Sequence, residues 1–168
     1  MNSPLVLNRP VIAIAGSSGK TTTKEMLASI LSTRWKIYKS AGNQNNRHAM
    51  LHHRRAIKSY HQAVVLEFGM SFPGHLRRQC QIIRPNMAVI TMVGSAHIGN
   101  CGGLEGLIRA KSEIIRHMDP HGTLFLNADD ENSQRLLTRG FKGRILRIGI
   151  AKEADYRAYD IRYTKGGM

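Results

Sequence analysis

The stretch Val11–Lys24, VIAIAGSSGKTTTK, constrains this chain more than any other. Five consecutive apolar residues, Val11 to Ala15, read as a buried strand. Gly16-Ser17-Ser18-Gly19 follows as a flexible turn, and Lys20-Thr21-Thr22-Thr23 opens a helix. A strand, a Gly-rich turn and a helix N-terminus form an anion cradle, because backbone N–H groups converge there and the helix dipole adds partial positive charge. Glycine lets the backbone approach phosphate oxygens closely. In such a cradle Lys20 reaches the terminal phosphates and the Thr21 hydroxyl holds Mg²⁺. The longer pattern G-x-x-x-x-G-K-[ST] asks for glycine at position 14, where Ile14 stands; the shorter G-x-x-G-K-T-T is complete.

Downstream, strands alternate with helices. Helix is expected over 21–33, with Met26, Leu27, Ile30 and Leu31 toward a sheet, and strand over 35–38. A polar loop, 40–46, leads to a helix over 47–60 rich in His and Arg. Ala63–Leu66 is an apolar strand ending in Glu67-Phe68-Gly69-Met70, and Pro73-Gly74 turns into a helix that Pro85 breaks. Met87–Thr91 ends in Val93-Gly94-Ser95-Ala96-His97; helix follows over 104–117. Thr123–Leu126 ends in Asn127-Ala128-Asp129-Asp130, then come a helix over 132–139 and a strand over 144–150. Beyond Ile150 the pattern turns polar, with an alternating, half-exposed strand over 159–163 and a hairpin turn over 164–168, as at the start of a further element.

Near-continuous apolar strands need cover on both faces. The expected fold is therefore α/β, of P-loop NTPase type, with a mostly parallel sheet and helices on both sides. Ligands of such sheets sit beyond the carboxyl ends of the strands. Gly16–Thr21, Glu67, His97 and Asn127 all fall at those ends, which points to one shared site. Mg²⁺ takes hard oxygen ligands, so Thr21 and Glu67 are candidates. The i,i+4 pair His48/His52 has no evident third ligand and reads as a solvated face.

Length, 168 residues, fits about one domain, residues 1–150 by pattern. No run is long enough to span a membrane and no signal peptide is evident, so a cytoplasmic location is expected. Cys80 and Cys101 are too few and too far apart for a disulfide framework or a cysteine-based zinc site. A net charge of +14 attracts anions generally. The basic residues are spread along the chain without an aromatic-interleaved stripe, so a solvated basic surface is favoured over a nucleic-acid site.

Several motifs together resemble the central ATPase domain of the Mur ligases, closest to the D-alanyl-D-alanine-adding type. They are G-S-S-G-K-T-T-T-K-E-M at 16–26, G-N-Q-N-N at 42–46, E-F-G-M at 67–70, P-G at 73–74 and R-P-N-M-A-V-I-T at 84–91. G-S-A-H at 94–97, L-E-G-L-I-R-A-K-S-E at 104–113 and N-A-D-D at 127–130 complete the set. The resemblance covers most of 11–150. It implies an ATP-dependent, amide-forming ligase of peptidoglycan precursor synthesis. A carboxylate of a UDP-linked muramoyl-peptide attacks the γ-phosphate of ATP, and an amino acid or dipeptide amine then displaces phosphate from the acyl phosphate. It implies that Gly16, Ser17, Ser18, Gly19, Lys20, Thr21 and Thr22 hold the nucleotide phosphates and that Asn127 lies near adenine. Thr21 and Glu67 would ligate one Mg²⁺. His97 would ligate a second, supported by Lys111 after its carbamylation by CO₂. Asn43 would lie near the reacting groups, with Lys20, His97 and Lys111 as the other catalytic residues.

The chain also departs from that pattern. Arg47-His48-Ala49 follows Asn46 where the family turns with Gly and Pro, Met92 replaces an Asn, Ser95 replaces a Pro, and Phe68–Phe72 differs from the usual run after Glu67. The nucleotide side is retained while the acceptor side has drifted. By this resemblance the chain lacks the family's UDP-precursor domain, the later part of its central domain and the C-terminal domain; alone it is expected to bind nucleotide weakly and not to complete ligation. A folylpolyglutamate or cyanophycin type of ligase and a non-catalytic nucleotide-binding module are the alternative readings.

Overall fold

The computed structural model describes residues 3–162. Seven strands form one sheet: β1 (Val11–Ala15), β2 (Ile37–Lys39), β3 (Ala63–Glu67), β4 (Met87–Ile90), β5 (Thr123–Asn127), β6 (Arg144–Gly149) and β7 (Tyr156–Arg157). Their order is β2-β3-β1-β4-β5-β6-β7, and every pairing is parallel. The helices are α1 (Lys20–Ser32), α2 (Arg47–Ala56), α3 (His75–Ile82), α4 (Leu104–Lys111), α5 (Glu113–His117) and α6 (Glu131–Gln134), with a short 3₁₀ turn at Gly99–Cys101.

The two faces of the sheet are covered unequally. Val11, Ala13, Ala15, Val64, Leu66, Ala88, Ile90, Leu124 and Leu126 pack against α2–α5 in the main core. Ile12, Ile14 and Val65 form a smaller cluster with Leu27 and Leu31 of α1. Each fully buried aliphatic side chain contributes about 1.5–3 kcal/mol, so the α2–α5 layer dominates stability. The lead-in segment is tied down too, since Leu5 bridges to Ile83 in parallel.

Strand order reverses at β1. The chain leaves β1 toward β2 and β3 on one side and builds β4 to β7 on the other. The loops after β1 and β4 therefore diverge over one crevice at the carboxyl ends, the position at which open α/β sheets bind ligands.

Some boundaries differ from the sequence reading. Met26 and Ile30 are exposed, at 63% and 65%, rather than facing the sheet. The buried stripe of α1 is Lys24 and Ala28, flanked by Leu27 and Leu31. Lys24 takes a core position because its ammonium finds the carbonyls of Ser40 and Gly42, which turns the apolar pair outward. The helix over 47–60 stops at Ala56, and Ile57 is extended. The helix over 104–117 splits at Ser112, whose hydroxyl donates back to Ile108 O and accepts from Leu137 N. The helix over 132–139 is a single turn, Glu131–Gln134, and the strand over 35–38 is displaced to Ile37–Lys39. The last strand is Tyr156–Arg157, and residues 159–162 lie outside it. The hairpin expected at 164–168 lies outside the described residues.

Candidate active site

The turn after β1 needs its glycines. Gly16 has φ +144°, and a Cβ there would lie 2.0 Å from Thr91 Oγ1. Gly19 has φ +77° and caps α1 in the left-handed region. No side chain caps this end of α1 and its first turn holds no acidic residue. The first N–H groups of a 13-residue helix thus remain available for an anion, reinforced by the dipole. Lys20 lies over the turn, its Nζ donating to Gly16 O at 3.2 Å and Ser17 O at 3.5 Å. Ser18 and Thr22 are exposed on the open side.

The loop after β4 forms the other wall. Ser17 N donates to Met92 O at 2.9 Å, Gly94 N donates to Ser17 Oγ at 3.0 Å, and Ser17 Oγ donates to Gly94 O at 3.2 Å. Thr91 Oγ1 donates to Ser18 O. The segment after β5 grips that loop in turn. Asn127 Nδ2 donates to Thr91 O at 3.0 Å, Val93 N donates to Asp130 Oδ2 at 2.7 Å, and Asn132 Nδ2 donates to Val93 O at 2.8 Å. Asn127 Oδ1 accepts from Asp129 N at 2.9 Å, so both ends of that amide hold protein backbone.

Glu67 is the pivot. It is 1% exposed at the end of β3, and Thr21 Oγ1 donates to its Oε2 at 2.7 Å. Asn45 Nδ2 donates to Oε1 at 2.8 Å, and the Glu67 backbone N–H donates to Ser40 Oγ at 3.0 Å. Gly69 makes room for Asn45, since a Cβ there would lie 2.3 Å from Asn45 Oδ1. Among the described residues no cationic side chain pairs with Glu67 within 4.0 Å. A buried carboxylate with only neutral donors calls for a cation. The Thr21 hydroxyl and Glu67 carboxylate are hard oxygen donors, and the described residues contain no cluster of three or more His, Cys, Asp or Glu able to cage a metal alone. Two protein oxygens next to a phosphate cradle fit Mg²⁺, which keeps waters and takes phosphate oxygens as further ligands.

Lys111 is 2% exposed at the end of α4, and no carboxylate lies within 4.0 Å of it among the described residues. Burial, then the nearby charge of Lys20, pull its pKa down from 10.5 to about 8, against smaller opposing contributions from Cys101 and Asp130. His97 is exposed, in the left-handed region at φ 66°. Such a conformation is uncommon for a residue other than glycine and recurs at functional sites.

Thus Thr21 and Glu67 are in direct contact, with Lys20 and Lys111 close enough to sense each other's charge. Asn43 sits exposed on the outer turn of the 40–46 loop. The asparagine that reaches Glu67 is Asn45, which sequence reasoning passed over. G-N-Q-N-N offers three asparagines in five residues, and only the path of the loop selects one. The capping role of Asn46, which accepts from Ala49 N at 2.9 Å, is the signal that fixes that path. Ser40 and Lys24 were also missed, since a serine in a polar loop and a lysine in a helix carry no distinguishing pattern.

Comparison with known proteins gives one consistent picture. The family model described as the Mur ligase middle domain matches residues 14–168. A UDP-N-acetylmuramoyl-tripeptide–D-alanyl-D-alanine ligase from Bacillus subtilis is 32% identical over 161 residues, 96% of this chain and 34% of that protein. The crystal structure of MurF from Acinetobacter baumannii superposes with a TM-score of 0.84 at 36% identity, covering 92% of this chain and 34% of that one. MurF ligase from Thermotoga maritima in complex with ADP gives 0.80 at 30% identity, covering 94% of this chain and 36% of that one. The chain therefore spans about a third of the length of the relatives it matches.

Proposed function

Because the chain belongs to the Mur ligase middle-domain family, we propose that it is the ATP-binding core of an ATP-dependent amide-forming ligase of peptidoglycan precursor synthesis. The acid substrate is a UDP-linked muramoyl-peptide, and the amine is a dipeptide of the D-alanyl-D-alanine kind named for the relatives. A reaction fed by ATP and a UDP-linked precursor belongs in the cytoplasm. Among the described residues no helix is long and apolar enough to cross a membrane.

The buried Glu67 carboxylate, held against Thr21 at the mouth of the cradle with no cationic partner among the described residues, carries this reading. Backbone N–H groups of 18–20 and the Lys20 ammonium bind the β- and γ-phosphates and oppose charge growing on them. Thr21 and Glu67 would hold one Mg²⁺, with His97 and a carbamylated Lys111 at a second; when bound, the metal neutralises the transferring phosphoryl group. Asn45 and Ser40 keep the Glu67 carboxylate aimed. The Lys111 amine, with a pKa near 8, is neutral often enough to attack CO₂; it forms an N–C bond as one C–O π bond of CO₂ opens, sheds one proton, and becomes an anion near the positive charge of Lys20.

The test is product formation by the protein that carries this chain. Supplied with ATP, Mg²⁺, UDP-N-acetylmuramoyl-tripeptide and D-alanyl-D-alanine, it should yield ADP and the ligated product by mass spectrometry. Product formation unaffected by Glu67→Ala would contradict the reading.

A further inference from the structure

The sheet has a second opening, at the end away from the cradle. A cavity of about 430 Å³ lies where the chain enters β4, β5 and β6. Every strand is parallel, so this amino edge faces away from the loops that build the nucleotide site. Backbone bonds tie its walls together. Asp119 N donates to Pro85 O at 2.8 Å, Lys142 N donates to Pro120 O at 3.2 Å, and Leu137 N donates to Ser112 Oγ at 2.9 Å.

The rim carries Arg84, Arg116, His117 and Arg139, contributed by three separate segments. None of these arginines takes part in an ion pair among the described residues, and no acidic residue lines the cavity. The two acidic residues beside it are engaged by backbone. Glu113 accepts from Gly74 N at 2.6 Å and Arg77 N at 3.1 Å, and Asp119 Oδ1 accepts from His121 N at 2.9 Å. Burial lowers the pKa of His117; Glu113 opposes this, while the charges of Arg77, Arg116 and Arg84 lower it further, so those guanidinium fields meet at the imidazole. Below the rim the lining turns apolar. Ile115 and Met118 are buried, and Leu137 and Phe141 are half-buried.

We propose that this cavity is a second ligand site, which takes a phosphate monoester of nucleotide size, its phosphate on Arg84, Arg116 and Arg139 and its base against Phe141 and the apolar floor. The proposal does not depend on the function argued above. A phosphate monoester carries nearly two charges and three acceptor oxygens, which suits donors arriving from three directions better than a single carboxylate does. A volume of this size and a floor of this kind belong to small-molecule sites. A nucleic-acid strand instead needs a basic track with repeated aromatic platforms, whereas here the arginines converge on one hollow with one phenylalanine.

Proton–nitrogen correlation NMR of the full chain tests it with four probes: uridine 5′-monophosphate, uridine, inorganic phosphate and a 12-nucleotide single-stranded RNA. Each titration is repeated on Lys20→Ala, which weakens the cradle and leaves this cavity intact. The monophosphate should shift the amides of 115–118 and 137–141, with the same affinity in Lys20→Ala. Uridine and phosphate alone should bind at least about tenfold more weakly, and so should the monophosphate to Arg116→Ala/Arg139→Ala. Arg116 and Arg139 are exposed, so that variant keeps the fold, and melting curves check it; Arg84→Gln should weaken binding in the same direction. Four results would overturn the site: shifts confined to 16–21 and lost in Lys20→Ala, phosphate binding as tightly as the monophosphate, RNA displacing the monophosphate, or wild-type affinity in the double arginine variant. Absence of shifts at 115–118 and 137–141 with every probe would also overturn it, while ATP–Mg²⁺ binding to the same sample reports separately on the cradle.

Discussion

Lys111 sits where burial opposes its charge, and that conflict has a measurable sign. Its pKa in the folded chain is about 8 against 10.5 in its absence of environment. Between those values the unfolded chain holds more protons, so stability contributed at this residue is present above about 10.5 and is lost as pH falls through 8. Urea unfolding should show stability rising between pH 8 and 10. Lys111→Met should remove that part of the slope and add about 1–3 kcal/mol at pH 7.5. A variant destabilised at pH 7.5 would show that the ammonium has a favourable partner. At this scale the nearness of Thr21 to Glu67 was legible, because both fall at strand ends or the turn beside them. Asn45 was not, since its neighbours Asn43 and Asn46 have the same chemistry and only the loop path separates them. Lys111 could be placed on a helix, but its burial is a property of how α4 packs.

At the scale of elements, the 40–46 loop is held by donors from two helices. Lys24, wholly buried on α1, donates to Ser40 O and Gly42 O. His53 of α2 contacts Tyr38 OH through Nδ1 at 2.7 Å and Gln44 O through Nε2 at 3.0 Å. Lys24→Met would leave two inward carbonyls without a donor, costing about 2–4 kcal/mol. It should lower the melting temperature by roughly 5–12 °C and raise the Mg²⁺ concentration needed for ATP binding, because Asn45 would no longer be held on Glu67. An unchanged melting temperature would contradict the clamp. The histidine end responds to acid. Burial depresses the pKa of His53, and also of His61 and His117. The unfolded chain therefore takes up protons first below about pH 6.5, and stability present above that value is lost as pH falls through the lower folded values. The urea midpoint should drop between pH 7.5 and 5, and a flat profile would count against neutral, buried histidines. Long apolar strands were readable from sequence. The outward face of α1 was not, because a lysine stem occupying the core reverses the usual helical pattern.

At the scale of the whole molecule, parallel pairing in the order β2-β3-β1-β4-β5-β6-β7 places the loops after β1, β3, β4 and β5 along one edge. The placing of Gly16–Thr21, Glu67 and Asn127 at the carboxyl ends of their strands followed from alternation of apolar strands with helices. The strand order itself was not legible, since parallel strands of similar apolar composition carry no label for their neighbours. Net charge of +14 raises a competing explanation for any nucleotide affinity, namely attraction of a polyanion to the surface at large. Titration calorimetry of ATP against the chain and against Lys20→Ala, with and without Mg²⁺, separates the two. The cradle predicts binding that requires Mg²⁺ and weakens at least about tenfold in Lys20→Ala. Binding that ignores both Mg²⁺ and Lys20 would contradict it and leave only the diffuse positive surface.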